Sequence, residues 1–331
     1  MAGVRVMNTT ITLREYIDDY LDERHSLGFL AVDQARYLHS FDRYTQEVGS
    51  TDSPTIEMMT AWARQDSHGS KDPVTWARRL KNLRPFMRWF QQFEPHTEVP
   101  DDTVFGRLPR RLTPHIYTQL EIVDLLAAAK QLGPEQSLRG KIYEALFGLI
   151  ACAGLRISEA LSLRNVDVNL KHGMITIHQT KFGKTRQLPI HHSTVRVLRR
   201  YRSALYKSGY CSDDEAPFFV GTRGKRGGMP LGERQVHRVF AQLRDHLGWR
   251  NRGVHHAPRI HDLRHSFVVH RILQWQKDGV DIDQAMLSLT TYLGHALVTN
   301  TYWYLSGVPE LMSLVATQFK SFDPGSEVAD E

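Results

Sequence analysis

The chain has 331 residues and a formal net charge of +6, and 41% of its residues are hydrophobic and 24% are charged. The composition excludes a wholly disordered chain, and the length predicts two domains. Two cysteines are too few for a disulfide framework or a cysteine zinc site. No apolar run approaches the ~18 residues that a bilayer-spanning helix needs, and residues 1–10 lack a signal-peptide core, so we expect a cytoplasmic protein.

Residues 11–94, which follow an N-terminal tail, predict an all-α domain of four helices. The first begins at a capping box of Thr12 and Glu15 and continues with apolar residues on one face. The second is expected over residues 32–48, the third from Ser53 and Pro54 to residue 64, and the fourth over residues 73–90. Four helices joined by short loops are typical of a small bundle.

The fourth predicted helix is basic. Its basic residues are Arg78, Arg79, Lys81, Arg84 and Arg88. A basic helix face suits the phosphate backbone of DNA, because each neutralising contact releases counterions. The alternative is a solvated face whose side chains snorkel along the surface.

Residues 95–116 predict a linker, because they contain four prolines and no apolar period. A second domain is expected over residues 117–308, opening at a capping box of Thr118 and Glu121. An apolar helical stretch over residues 141–163 is interrupted at Gly154.

Later in this domain, alternation predicts a hairpin with strands over residues 174–179 and 187–190. Four further helices are expected around residues 232–247, 261–277, 281–292 and 299–305. The predicted fold is therefore mainly α with a small antiparallel β-sheet. Residues 309–331 add a last helix with one apolar face and a polar tail.

The segment His261-Asp262-Leu263-Arg264-His265 places His261, Arg264 and His265 on one helix face. A histidine pair with this spacing can bind zinc, but the arginine between them disfavours a metal ion. A phosphate site is the second interpretation, because the planar fork of arginine matches two phosphate oxygens. A surface cluster without a ligand is the third.

Two further segments carry charged residues that could serve an anion site. After Gly154, Arg156 and Glu159 lie three residues apart and share a helix face, where they either pair with each other or bind a phosphate together. Lys181 and Lys184 lie at the predicted hairpin tip, where lysines either solubilise the surface or bind an anion.

His295 and Tyr304 are nine residues apart, which places them on opposite faces of one continuous helix. A break within residues 296–300 would allow a new short helix to turn Tyr304 back toward His295. Tyr302 is the competing tyrosine.

In order and spacing, these motifs resemble the tyrosine site-specific recombinases, the phage integrase family. The motifs are Gly-Leu-Arg-Ile-Ser-Glu-Ala-Leu, a lysine in the strand turn, His-Asp-Leu-Arg-His, Leu-Gly-His and a tyrosine. The resemblance covers nearly the whole chain: residues 11–94 are similar to the core-binding domain and residues 117–308 to the catalytic domain. It implies a DNA recombinase of the integrase or transposase type, as found in mobile genetic elements. Such an enzyme cuts and rejoins strands through a 3′-phosphotyrosyl intermediate without metal, cofactor or ATP.

The resemblance also implies roles for individual residues. It assigns catalytic roles to Arg156, Lys181, His261, Arg264, His295 and Tyr304. The arginines would bind the nonbridging phosphate oxygens, the lysine (with Lys184 as the alternative) would protonate the leaving 5′-oxygen, and the tyrosine would attack phosphorus. Glu159 and His265 would support the site.

The implied partners are a double-stranded recombination site and further copies of the chain, as a dimer on each site and a tetramer in the synapse. Accessory proteins are a further expectation, as is association with the nucleoid. Residues 309–331 would dock either on a neighbouring protomer or on their own domain.

Three other classes of protein are alternatives to a recombinase: a DNA-binding regulator with a decayed site, a type IB topoisomerase-like enzyme and a metallohydrolase. A regulator with a decayed site is disfavoured because every expected polar position is filled. The compact two-domain layout disfavours the topoisomerase-like enzyme, and the missing acidic cluster disfavours the metallohydrolase.

Overall fold

The computed structural model describes residues 12–49, 53–65, 69–109, 111–134, 137–178, 185–210, 212–222, 224, 227–309 and 311–312. The chain divides into two compact units, Met1–Arg111 and Leu112–Glu331. The described residues are mostly helical and contain one three-stranded antiparallel sheet, which confirms the predicted fold class. Of the helices in these ranges, none has both the length and the apolar character that crossing a membrane requires.

The described residues of the first unit form four helices: α1 (Leu13–Ser26), α2 (Val32–Glu47), α3 (Ile56–Arg64) and α4 (Pro73–Phe90). The predicted capping box of Thr12 and Glu15 opens α1. The third helix begins later than expected, because Thr55 rather than Ser53 is its N-cap and accepts the N–H of Met58. A single cluster of buried apolar side chains from all four helices fills the bundle.

Arg79 does not lie on the exposed basic face that the sequence predicts for α4. It is 6% exposed, and its guanidinium lies 4.2 Å from the centre of the Trp62 ring and donates to the Trp62 carbonyl oxygen at 3.0 Å. The expectation that Arg79 contacts DNA is therefore wrong, because cation–π stacking and this hydrogen bond hold the side chain inside the bundle.

The other four basic residues of α4 differ in how exposed their side chains are. Arg78, Lys81 and Arg88 are exposed and share one side of the helix. Arg84 is half-buried and pairs with Asp102 at 2.6 Å. The exposed basic face of α4 therefore consists of three residues rather than five.

The second unit contains eight α-helices and three strands within the described residues. They are α5 (Gln119–Lys130), α6 (Leu138–Ala153), α7 (Ile157–Leu161), β1 (Val168–Asn169), β2 (Met174–Ile177), β3 (Arg186–Pro189), α8 (His192–Lys207), α9 (Glu233–Leu247), α10 (Ile260–Lys277), α11 (Ile282–Leu293) and α12 (Thr299–Gly307).

The sheet has the order β1-β2-β3, with Ile175 of β2 opposite Val168 on one side and Leu188 on the other. The predicted hairpin is confirmed as β2 and β3, but β3 starts at Arg186, one residue earlier than expected. Neither β1 nor α8 is among the predicted elements. The hairpin tip, residues 179–184, lies outside the described residues and with it Lys181 and Lys184.

The predicted break at Gly154 is confirmed. The helix α6 is largely buried in the larger core of this unit. It ends in Gly154, whose φ of +60° is a left-handed conformation that glycine adopts without strain. The chain then turns at once into α7, so the arginine motif begins directly at the end of a buried helix.

The helices α10, α11 and α12 pack around a second core of the same unit, which contains Met286, Leu293, Tyr304 and Leu311. The predicted break between His295 and Tyr304 is confirmed, because α11 ends at Leu293 and α12 begins at Thr299. Of residues 309–331, the structure describes residues 309, 311 and 312, and the rest of the expected C-terminal helix lies outside the described residues.

Two glycines of this unit should respond oppositely to replacement by alanine. A Cβ on Gly154 would lie 2.5 Å from Cδ1 of Phe267, whereas a Cβ on Gly148 inside α6 would meet Leu126 at an ordinary 3.6 Å. We expect Gly154→Ala to lower the free energy of unfolding by about 2 kcal/mol, through positive φ and overpacking. Gly148→Ala should raise it by up to about 1 kcal/mol. Urea unfolding measures both, and equal effects of the two variants would contradict this assignment.

Candidate active site

Two of the sequence motifs meet at Glu159. Its carboxylate accepts the backbone N–H of Arg156 at 2.9 Å and Nη1 of the same residue at 2.7 Å, because Arg156 is the N-cap of α7 and Glu159 its third residue. From α10, Nη1 of Arg264 lies 3.8 Å from Glu159 Oε2. The two arginines that the sequence predicts are therefore gathered on one buried carboxylate.

A third arginine, outside the sequence motifs, reaches the same carboxylate. Arg186 donates from Nη1 and Nη2 to the two oxygens of Glu159 at 3.2 and 3.0 Å. Burial would raise the pKa of Glu159, but the hydrogen bonds from Arg186 and from the Arg156 backbone lower it below its usual value. The sequence contains one sign of this role for Arg186: strand alternation places it on the same sheet face as buried Leu188.

Arg264 is the most enclosed charge of the site, with 1% of its surface exposed. It donates to the carbonyl oxygens of Gly154 at 2.6 Å and Leu293 at 2.8 Å, so the ends of α6 and α11 both hold it. Burial and the charge of Arg156 lower its pKa to about 10, which leaves the guanidinium protonated at neutral pH.

His295 is bonded to this guanidinium, with its Nε2 3.2 Å from Nη2 of Arg264. An arginine can only donate, so Nε2 accepts and the ring proton of the neutral histidine is assigned to Nδ1. That atom lies 2.8 Å from Oγ1 of buried Thr301, which in turn lies 2.9 Å from Oγ1 of Thr290. Two threonines absent from the sequence prediction thus fix the orientation of His295.

Tyr304 comes to the site from α12, with 1% of its surface exposed. Its hydroxyl lies 2.7 Å from Nδ1 of His265, the residue after Arg264 on α10. Tyr302 points elsewhere: its hydroxyl donates to Asp283 on α11 at 3.1 Å. The structure therefore brings Tyr304, and not Tyr302, to the arginine motif.

His261 lies in the first turn of α10, and its ring packs edge-on against that of His265 with centroids 4.8 Å apart. Its side chain is exposed on one side. Desolvation by the protein around the ring and the charges of Arg264 and Arg259 lower the pKa of His261 to about 4. At neutral pH this imidazole is uncharged.

Within the described residues, no three His, Cys, Asp or Glu side chains form a group that could hold a metal ion. Nδ1 of His265, one of the two histidines considered as zinc ligands, is bonded to Tyr304. Lys181 and Lys184 lie outside the described residues.

This arrangement is suited to an anion that carries several oxygens. Three guanidinium groups surround one carboxylate, so the cluster keeps an excess of positive charge after Glu159 is neutralised. About a third of the Arg156 side chain is exposed and can meet a ligand. The Tyr304 phenol, the uncharged imidazole of His261 and the imidazoles of His265 and His295 stand beside these cations. Such groups can attack a phosphodiester and move protons around it.

Comparison with known proteins gives consistent relationships. Residues 116–308 match the family model described as the phage integrase family. The chain is 34% identical to the putative integrase/recombinase y4rB of Sinorhizobium fredii (strain NBRC 101917 / NGR234), over 91% of this chain and 95% of that protein. It is 27% identical to tyrosine recombinase XerC of Thermodesulfovibrio yellowstonii (strain ATCC 51303 / DSM 11347 / YP87), over 71% of each. Its fold is similar to that of the XerH site-specific recombinase bound to palindromic difH substrate, with a TM-score of 0.61 and 18% identity over 93% of this chain and 85% of that one.

His261 should make folding stability depend on pH below neutrality. Its folded pKa of about 4 lies below the unfolded value of about 6.5, so the unfolded chain binds a proton that the folded chain does not. This contribution is complete above about pH 6.5 and is lost as the pH falls toward 4. Between pH 7 and 5, we expect the melting temperature of the wild type to fall more than that of His261→Gln. The control is His237→Gln at an exposed histidine of α9; an equal fall in the wild type and His261→Gln would contradict the assignment.

Proposed function

The chain belongs to the phage integrase family of tyrosine recombinases, and we propose that it recombines DNA at specific sites through the cluster around Glu159. One observation carries this proposal: Arg156 and Arg264 share one carboxylate, and Tyr304 is bonded to the residue next to Arg264. A nucleophile therefore lies beside two cations that suit the oxygens of a phosphodiester.

In the proposed reaction, the Tyr304 hydroxyl oxygen bonds to phosphorus while the bond from phosphorus to the 5′-oxygen breaks. The products are a 3′-phosphotyrosyl link and a free 5′-hydroxyl, whose proton comes from Lys181 or, alternatively, Lys184. A 5′-hydroxyl of the partner strand then attacks the link and releases the tyrosine. The covalent intermediate keeps the energy of the broken bond, so the reaction requires no ATP.

Arg156 and Arg264 stabilise the charge that grows on the nonbridging oxygens in the transition state. Both are held in place by Glu159, and Arg264 also by two backbone carbonyls, so little reorganisation is needed when the charge develops. In this reaction they supply the positive charge that metal ions provide in other phosphoryl-transfer enzymes. His295 is placed to donate to the same phosphate from Nε2 once that atom has released Arg264 and taken up a proton.

The proton of Tyr304 needs an acceptor, because a phenol with an ordinary pKa of about 10 is a weak nucleophile at neutral pH. We propose His265, whose Nδ1 lies 2.7 Å from the hydroxyl. This gives His265 a direct part in the reaction, whereas the family resemblance implies only a supporting one. Because Tyr304 is 1% exposed, we further propose that binding of DNA shifts α12 so that the hydroxyl reaches phosphorus.

Binding and assembly follow from the same proposal. The exposed Arg78, Lys81 and Arg88 would contact the DNA backbone, whereas Arg84 is already engaged by Asp102. Exchange between two duplexes breaks four strands and uses one tyrosine for each, so we propose a dimer on each site and a tetramer in the synapse. The buried Leu311 supports packing of the start of the C-terminal segment on its own unit.

Replacing Tyr304 tests the assignment of the nucleophile. Nicked duplexes of random sequence are incubated with the protein in EDTA, and covalent adducts are separated on denaturing gels. We expect adducts with the wild type and with Tyr302→Phe, and none with Tyr304→Phe, because phenylalanine has no attacking oxygen. If Tyr304→Phe forms adducts, or if Tyr302→Phe does not, the nucleophile is Tyr302 and the assignment of Tyr304 is wrong. Adducts that form with zinc but not in EDTA would contradict a metal-free reaction.

A further inference from the structure

Arg186 joins two parts of the proposed site with a single guanidinium. Its terminal nitrogens bind both oxygens of Glu159, and its Nε donates to the carbonyl oxygen of Tyr292, near the end of α11, at 2.9 Å. The side chain is 10% exposed, so its surroundings are almost entirely protein. Only a planar fork with three donor nitrogens can make these contacts together, and lysine cannot.

The loop that carries His295 is packed directly on this guanidinium. Gly294 has a φ of +64°, and a Cβ added there would lie 2.6 Å from Nη1 of Arg186. Arg186 and Arg264 donate to successive carbonyl oxygens at the end of α11, where the helix dipole is negative. The two guanidinium groups therefore set where α11 ends and where His295 begins.

The charge balance of Glu159 also depends on Arg186. Of the interactions that lower the pKa of this carboxyl against the effect of burial, the hydrogen bonds from Arg186 are the largest. If Arg186 were lost, a buried carboxylate would be left to Arg156 and Arg264, and it would draw both of them toward itself. The same two guanidinium groups are the ones the proposed reaction needs on the phosphate.

We propose that Arg186 is a positioning residue of this active site. By occupying both oxygens of Glu159 and the end of α11, it holds Arg156, Arg264 and His295 in the arrangement that receives the phosphate. It acts through these groups and not on the DNA. This inference rests on the proposed function.

Two substitutions at Arg186 test the inference, with single-turnover cleavage of a nicked duplex selected for adduct formation with the wild type. We expect Arg186→Met to cleave about 100-fold more slowly, since a displacement of about 1 Å in a catalytic group has that cost. Arg186→Lys keeps the charge but not the fork and should cleave about tenfold more slowly. DNA affinity should stay within about twofold in both. Arg199→Met, which removes an arginine bonded to the Leu170 carbonyl of the same unit, is the control and should cleave normally.

A second substitution separates positioning from a general loss of structure. If the harm in Arg186→Met comes from an unmatched carboxylate, neutralising it with Glu159→Gln should restore part of the rate, so the double variant should cleave faster than Arg186→Met alone. For the same reason, Arg186→Met should recover relative to the wild type as the pH falls and Glu159 takes up a proton. Circular dichroism and thermal unfolding establish that each variant is folded.

Three results would overturn the inference. They are cleavage by Arg186→Met within threefold of the wild type, full activity of Arg186→Lys, and a double variant whose loss is the product of the two single losses. If Arg186→Met does not fold, the cleavage rate of Arg186→Lys and its dependence on pH test the inference instead. Failure of the wild type to form any adduct would instead refute the proposed function, and the inference with it.

Discussion

A carboxylate buried in protein has to be matched by positive charge and by hydrogen bonds, and Glu159 imposes this requirement on the second unit. Arg156 meets it from α7, Arg186 from β3 and Arg264 from α10, so three separate parts of the chain are fixed relative to one another by a single side chain. Because three cations surround one anion, positive charge is left over for a ligand. Glu159 thus holds together the three guanidinium groups from which the proposed reaction draws its positive charge.

Helix ends supply the rest of the geometry. The helices α6 and α11 both end in a glycine with positive φ, Gly154 and Gly294, and carbonyl oxygens at both ends accept hydrogen bonds from Arg264. The helix dipole makes these ends negative, which favours a buried guanidinium there. The glycines of the Gly-Leu-Arg and Leu-Gly-His motifs therefore act through backbone shape. One lets α7 start immediately after α6, and the other leaves room for the guanidinium of Arg186.

Much of this could be predicted from the sequence, because the motifs are local. Capping boxes, the break at Gly154 and the face shared by residues 261, 264 and 265 each depend on a few neighbouring residues. The sequence did not predict the positions of Arg186 and Arg79, because both depend on contacts between distant segments. Arg186 lies one residue before the predicted strand, and only the fold brings it to Glu159. Arg79 follows the same helical spacing as its exposed neighbours, and its burial depends on Trp62 of another helix. The helix α8 is a different case, because its buried residues Val195, Leu198, Tyr201 and Leu205 have a helical spacing that is visible in the sequence itself.

In the proposed reaction, Arg156 and its partners act by neutralising charge on the phosphate, and the charge of the substrate can be changed directly. The measurement is single-turnover cleavage by Arg156→Ala of two duplexes of the same sequence, one with a normal scissile phosphate and one with a neutral methylphosphonate there. We expect Arg156→Ala to cleave the normal duplex at least about 100-fold more slowly than the wild type, and the methylphosphonate to recover most of that loss. An equal loss on both duplexes, in a variant that remains folded and binds DNA, would contradict it.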